Sequence, residues 1–285
     1  MTEGLIQRAA MLVDLGRYPQ ALAMLGQAPG ELMQTPAFWT LQAIALMGLE
    51  DHSRAADACA KGIEIDPEDA TLWRILSRAR EEEDDLAAGE RAVLNAIRLD
   101  PADPLSFAAY ARLAALGGQG DKARRLLAHA QSLAPDDVAV LEAKMLTEFL
   151  SGSDRAAKEA TTALLRADPE SQAGHAMRGM LHLQLGEARH SAAAMRTAVL
   201  IDPSNQPVAS LAHDARVASH WFMAPMQLAQ RVGPVALWIG FVAFLFAAPV
   251  LNIPGQAVGL IGLAWLVFCI YTWTAEAITR RFLVH

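Results

Sequence analysis

The 285-residue chain is short of three things. Cysteine occurs only as Cys59 and Cys269, with no CxxC pair. That excludes a disulfide framework and fits a reducing compartment. Lysine is limited to Lys61, Lys122, Lys144 and Lys158, against abundant Arg and Ala, a composition pointing to a GC-rich bacterial genome. The third shortage is local: none of the 44 residues between Arg231 and Glu276 is Asp, Glu, Lys or Arg. The start, Met-Thr-Glu-Gly-Leu-Ile-Gln-Arg-Ala-Ala, lacks the basic segment and apolar core of a secretory signal, so none is expected. Net charge is −7 overall. In 206–285, Arg216, Arg231, Arg280 and Arg281 outnumber Asp214 and Glu276 by two, which leaves −9 on residues 1–205. An acidic region without a basic stripe is a poor match for phosphate, and no nucleic-acid partner is expected.

What is present in 1–205 is a period. Glu64-Ile65-Asp66-Pro67, Arg98-Leu99-Asp100-Pro101, Ser132-Leu133-Ala134-Pro135, Arg166-Ala167-Asp168-Pro169 and Leu200-Ile201-Asp202-Pro203 end alike, with prolines every 34 residues. Each interval holds two apolar-periodic stretches separated by a turn, the second ended by proline. With Pro67 as residue 32 of its unit, the fourth residues are Leu5, Trp39, Trp73, Phe107, Leu141 and His175. The eighth are Ala9, Ala43, Ser77, Ala111, Met145 and Gly179, and the twentieth Ala21, Ala55, Gly89, Ala123, Ala157 and Ser191. Gly16, Gly118, Gly152 and Gly186 take the fifteenth place, and Met33 stands where the first unit's proline is expected.

A 34-residue unit with a bulky fourth residue, small eighth and twentieth residues (only Met145 departs) and a closing Asp-Pro resembles the tetratricopeptide-repeat (TPR) family. The resemblance implies an all-α helical solenoid of six helix-turn-helix repeats over 2–205. Its open end needs a cap, and Ser204-Asn205 before Pro207 marks the start of a capping, juxtamembrane helix within 206–231.

The uncharged stretch is too long for one crossing. As a single helix it would reach roughly 66 Å, about twice a bilayer's hydrocarbon core. Asn252-Ile253-Pro254-Gly255-Gln256 offers a turn, giving a transmembrane hairpin with helices near 232–251 and 257–275 and a tail at 276–285. Arg231, Arg280 and Arg281 flank the crossings while the turn is uncharged, so the positive-inside rule places both termini in the cytoplasm. Trp221, Phe222, Tyr271 and Trp273 are expected as aromatic anchors at that interface. Gly255, Gly259 and Gly262 and the Ala236/Gly240 and Ala243/Ala247 pairs are small faces through which the two helices are expected to pack. The localisation expected is an integral protein of a bacterial inner membrane.

Chemistry is hard to find. There is no HExxH, GxSxG or phosphate-binding glycine loop. His175 and His182, and His213 and His220, stand seven apart, without the i, i+4 spacing or a nearby carboxylate that a helical metal site would use. No enzyme, cofactor or metal is expected, and His175 is expected to pack where other repeats use Trp. The run Glu81-Glu82-Glu83-Asp84-Asp85 reads as a solvated turn.

The resemblance implies a peptide-binding groove lined by residues 2, 5, 9, 12 and 13 of each repeat. On that register the groove takes Ile44 and Met47; Arg74, Arg78 and Arg112, with Glu81, Glu82 and Glu142 nearby; and Leu146, Phe149, Leu150, Met180 and Leu183. No repeat carries the Lys/Asn clamp of chaperone-tail binders. The expectation is a membrane-anchored scaffold that holds a protein or peptide partner in this groove. The alternative is an accessory subunit of a larger membrane complex, contacted mainly through its hairpin.

Overall fold

From the third repeat onward a side chain caps the helix that opens each unit, whereas Thr35, before the second repeat, makes no such bond. In the computed structural model, which describes residues 3–203, 205–223, 225, 233–251 and 254–279, Asp69, Asp103, Asp137, Ser171 and Asn205 accept backbone N–H groups from the first turn that follows. They recur every 34 residues, two places after the proline. Such a cap stabilises a helix by about 0.5–2 kcal/mol. Just before it, Asp66, Asp100 and Asp168 each accept the N–H two residues on at 3.0 Å, shaping the Asp-Pro turn.

All regular structure among the described residues is helical. Six pairs run α1 (Glu3–Asp14) and α2 (Tyr18–Leu25), α3 (Pro36–Met47) and α4 (His52–Ile65), α5 (Ala70–Glu82) and α6 (Leu86–Leu99), α7 (Pro104–Leu116) and α8 (Gly120–Leu133), α9 (Val138–Leu150) and α10 (Asp154–Ala167), α11 (Gln172–Gln184) and α12 (Ala188–Ile201). There follow α13 (Gln206–Ser219), a 3-10 turn at Trp221–Met223, α14 (Pro234–Val250) and α15 (Gly255–Ile278). The chain divides into two compact units, 1–167 and 168–285.

In the first unit each first helix packs on the next, α1 on α3, then α5, α7 and α9. Within the pairs, the eighth and twentieth residues Ala43, Ser77 and Ala111, and Ala55, Ala123 and Ala157, are completely buried. The turn between helices needs a left-handed residue at the fifteenth place. Gly16, Gly118 and Gly152 supply it with φ of 67°, 73° and 71°, but Glu50 and Asp84 are forced to 60° and 63°.

In the second unit α11, α12 and α13 share a core of Ala176, Met195, Ala198 and Ala215. Gln172 clasps its three helices, donating to the Ala198 and Asp202 carbonyls and accepting from Asn205. α14 and α15 meet through aromatic rings: Phe241 stacks on Trp265 at 4.5 Å, and Trp238 meets it edge-on at 5.5 Å. The expected small-residue packing is not what joins them, because the space around Gly240, Gly255, Gly259 and Gly262 is open. Tyr271 donates to the Phe222 carbonyl, tying α15 to the 3-10 turn. Among the described residues one helix, through its window Gly255–Thr272, is long and apolar enough to cross a membrane, and none of that window is buried within the protein. The apolar part of α14, Ala236–Pro249, is shorter.

The left-handed positions give a direct test. Glu50→Gly is expected to raise, and Gly118→Ala to lower, the free energy of unfolding by about 0.5–1 kcal/mol in urea titrations.

Candidate binding groove

Successive first helices carry their ninth residues side by side, and α5, α7 and α9 contribute Arg78, Arg112 and Leu146. These three line an open cavity of about 390 Å³ together with Glu81, Glu82, Asp84, Leu86 and Leu116. Of the residues expected from the sequence, the cavity thus unites two arginines, two glutamates and one leucine. Leu116 was readable, being the thirteenth residue of its repeat. Asp84 and Leu86 enter from the turn and the start of α6, outside the register that describes first helices.

The arginines are already engaged. Arg112 Nε donates to both oxygens of Glu81 at 2.7 and 2.9 Å, and Arg78 reaches Glu81 at 3.0 Å and Glu82 at 2.5 Å. Arg74 pairs with the α7 cap Asp103 at 3.4 Å. Burial, and then the like charge of Arg112, hold Arg78 below the ordinary arginine range, with Glu81, Glu82 and Glu142 opposing. The Glu81 side chain is 6% exposed and bridges two cations across adjacent helices.

Each member of the acidic run has its own place. Glu81 and Glu82 hold the arginines, Glu83 pairs with Arg80 at 2.7 Å, Asp84 makes the left-handed turn and Asp85 caps α6.

The other expected positions are distributed. Ile44 and Met47 are half-buried against the α3–α5 core. Phe149 is half-buried and Leu150 is exposed on α9. Met180 packs into the second unit's core, where Leu183 is exposed. Of the expected interface residues, Arg231, Arg280 and Arg281 lie outside the described residues. Trp221 opens the 3-10 turn and Trp273 falls in α15, while Phe222 and Tyr271 meet edge-on at 5.3 Å.

His175 behaves as a tryptophan substitute. Trp39 and Trp73 donate their ring N–H to the carbonyls of Met33 and Pro67, six residues back, and His175 Nε2 does the same to Pro169 at 2.9 Å. Arg178 donates to its Nδ1, which fixes the Nε2–H tautomer. Cys59 is fully buried, and burial pushes its thiol up to about 12, so it is no nucleophile. Glu90 is held below the usual carboxylate range by hydrogen bonds from Lys122 and Tyr110, and Lys122 is raised by its hydrogen bond to Glu90 and then by Tyr110.

No family model matches the chain, and no curated protein does. Solved structures do. A tetratricopeptide repeat protein from Parabacteroides merdae superposes with a TM-score of 0.65 at 14% identity, over 74% of this chain and 83% of that one. PilW, a type IV pilus biogenesis factor, gives 0.57 at 15%, over 74% and 97%. The APC/C heterotetramer Cut9–Hcn1 gives 0.60 at 15%, over 73% of this chain but only 41% of the other. At these identities the likeness shows the fold, an all-α helical repeat of the TPR kind.

Glu81→Ala would remove the buried carboxylate that bridges Arg112 and Arg78, leaving Glu82 on Arg78. It is expected to lower unfolding free energy by roughly 2–3 kcal/mol. Glu82→Ala, at the exposed end of the network, is expected to change it by less than about 1 kcal/mol. Equal losses in urea titrations would contradict this division.

Proposed function

We propose that the chain is a membrane-tethered scaffold: a repeat domain holding a protein or peptide partner in the groove of α5, α7 and α9, and a C-terminal hairpin in lipid. The cavity edged by Leu86, Leu116 and Leu146 beside the Arg78–Glu81–Arg112 network carries the reading. An apolar rim with fixed charges within reach suits an amphipathic helix or apolar peptide, whose acidic groups would compete with Glu81 and Glu82 for the arginines. The role is recruitment or assembly rather than catalysis. PilW and the Cut9–Hcn1 heterotetramer are, by their names, a biogenesis factor and a component of an assembly.

The partner is expected to co-purify from detergent-solubilised membranes with the native chain and to be lost with Phe149→Asp combined with Arg78→Glu. Retention by that variant, with its helical circular dichroism intact, would remove the groove from the proposal.

The tether rests on the exposed Gly255–Thr272 window and on the 44 uncharged residues around it. With Arg231, Arg280 and Arg281 flanking, the positive-inside rule assigns the termini to the cytoplasmic side of a bacterial inner membrane. The chain is expected to resist extraction by alkaline carbonate and to be released by detergent; release by carbonate alone would contradict the tether.

The open space at Gly240, Gly255, Gly259 and Gly262 supports a second reading, in which the hairpin is the main contact with a larger membrane complex. Exchanging the hairpin for an unrelated two-helix anchor separates them: function survives the exchange in a scaffold and fails in such a subunit.

A further inference from the structure

The α11–α12 pair gathers three side chains that the repeat does not require. The chain turns at Gly186, φ 71°, and brings the last turn of α11 against the first of α12. There His182 Nδ1 lies 2.7 Å from Glu187 Oε2, and His190 Nδ1 lies 3.6 Å from the same oxygen. The two imidazoles stand 5.3 Å apart, centre to centre. One donor atom from each of the three residues falls within a common span of 4.8 Å.

From this geometry we infer a transition-metal site formed by His182, Glu187 and His190. With bonds of about 2.0–2.1 Å, a tetrahedral dication holds its donors roughly 3.4 Å apart. Rotation of exposed side chains closes the remaining difference: the His190 side chain is 74% exposed and that of Glu187 42%. The frame beneath them is fixed, because the neighbouring Leu181 and Ala188 are buried in the helical pair. Two imidazoles and one carboxylate make a borderline donor set, suited to Zn²⁺, Co²⁺, Ni²⁺ or Cu²⁺ rather than Ca²⁺ or Mg²⁺.

Two comparisons within the chain separate this cluster from ordinary repeat structure. In the second and third repeats the place of Glu187 is held by Asp51 and Asp85, which cap the second helix by accepting backbone N–H groups, while Arg17 and Gln119 in the first and fourth make no such bond. The Glu187 side chain makes no such cap bond and is turned to the imidazoles. Secondly, no other repeat carries histidine at either the position of His182 or that of His190. A hydrogen bond between His182 and Glu187 accounts for one imidazole; it does not account for the second ring directed at the same oxygen. Three protein ligands leave a fourth position for water or for a donor from another molecule, and a bound ion would pin α11 to α12 across their turn.

The test is titration of the full chain, in detergent, without a polyhistidine tag and stripped by chelator, with Zn²⁺ followed by calorimetry and with Co²⁺ followed by its d–d absorption. One Zn²⁺ per chain with Kd below about 100 µM is expected, with intense Co²⁺ bands from a tetrahedral site. His182→Asn and His190→Asn should each weaken binding by roughly 10-fold or more, while His213→Asn, on α13, leaves it unchanged. Circular dichroism checks the fold of each variant, and the exposed His190 gives the variant least able to disturb it. Absence of a Zn²⁺ site below that concentration, or wild-type affinity in the His182→Asn/His190→Asn double variant, would overturn the assignment. So would equal affinity for Ca²⁺.

Discussion

How closely two helices of a pair can approach decides most of what residues 3–203 do. At the third repeat a methyl group added to Gly89 would come within 3.2 Å of the Ser77 carbonyl and 3.1 Å of Leu113 Cδ2. In the first, second and fourth repeats the same two positions are held by buried alanines. Helices this near leave a thin core, filled by many small contacts and a few large side chains such as Leu25, Leu46, Leu72 and Leu164. No pair can bury its stripe alone, so stability is shared between neighbours and becomes roughly a sum over repeats and interfaces. A destabilising change is then felt locally first.

The same constraint explains why the fold could be read from the sequence so far ahead of the site. Proline and small residues recur because backbone geometry demands them, and a demand on the backbone is visible in any sequence that meets it. The caps at Asp69, Asp103 and Asp137 share that periodicity. The left-handed turn was visible only where glycine fills it: Glu50 and Asp84 accept the strained conformation and so conceal the position. Side-chain partnerships follow a different logic. Arg112 and Glu81 are 31 residues apart and meet because α5 lies against α7, a pairing no periodicity announces. His190 escaped notice for a related reason. His182 lies across a turn from it and Glu187 three residues before it, whereas the spacing tested was that of two histidines at i, i+4 on one helix.

Aromatic residues misled in another way. Small residues along an apolar helix suggest close packing, yet α14 and α15 are joined by Trp238, Phe241 and Trp265. In an apolar segment the sequence offers two interfaces, one small and one aromatic, with no polar face to say which is turned inward. The rings bury more surface against one another than the glycines could. That leaves the glycine faces open.

A groove whose arginines are satisfied within the chain gains little from a partner's acidic groups. Any carboxylate that displaces Glu81 or Glu82 exchanges one ion pair for another, and the net gain is limited to the apolar area covered around Leu86, Leu116 and Leu146. Such a site discriminates by shape and charge placement more than by strength. Confinement to a surface offsets that weakness, because a partner held at the same membrane meets the groove at a raised effective concentration without any new contact. The self-neutralised groove and the apolar tail are, on the scaffold reading, complementary. On that proposal the network would set selectivity and keep free binding weak, and the tether would restrict useful binding to one place.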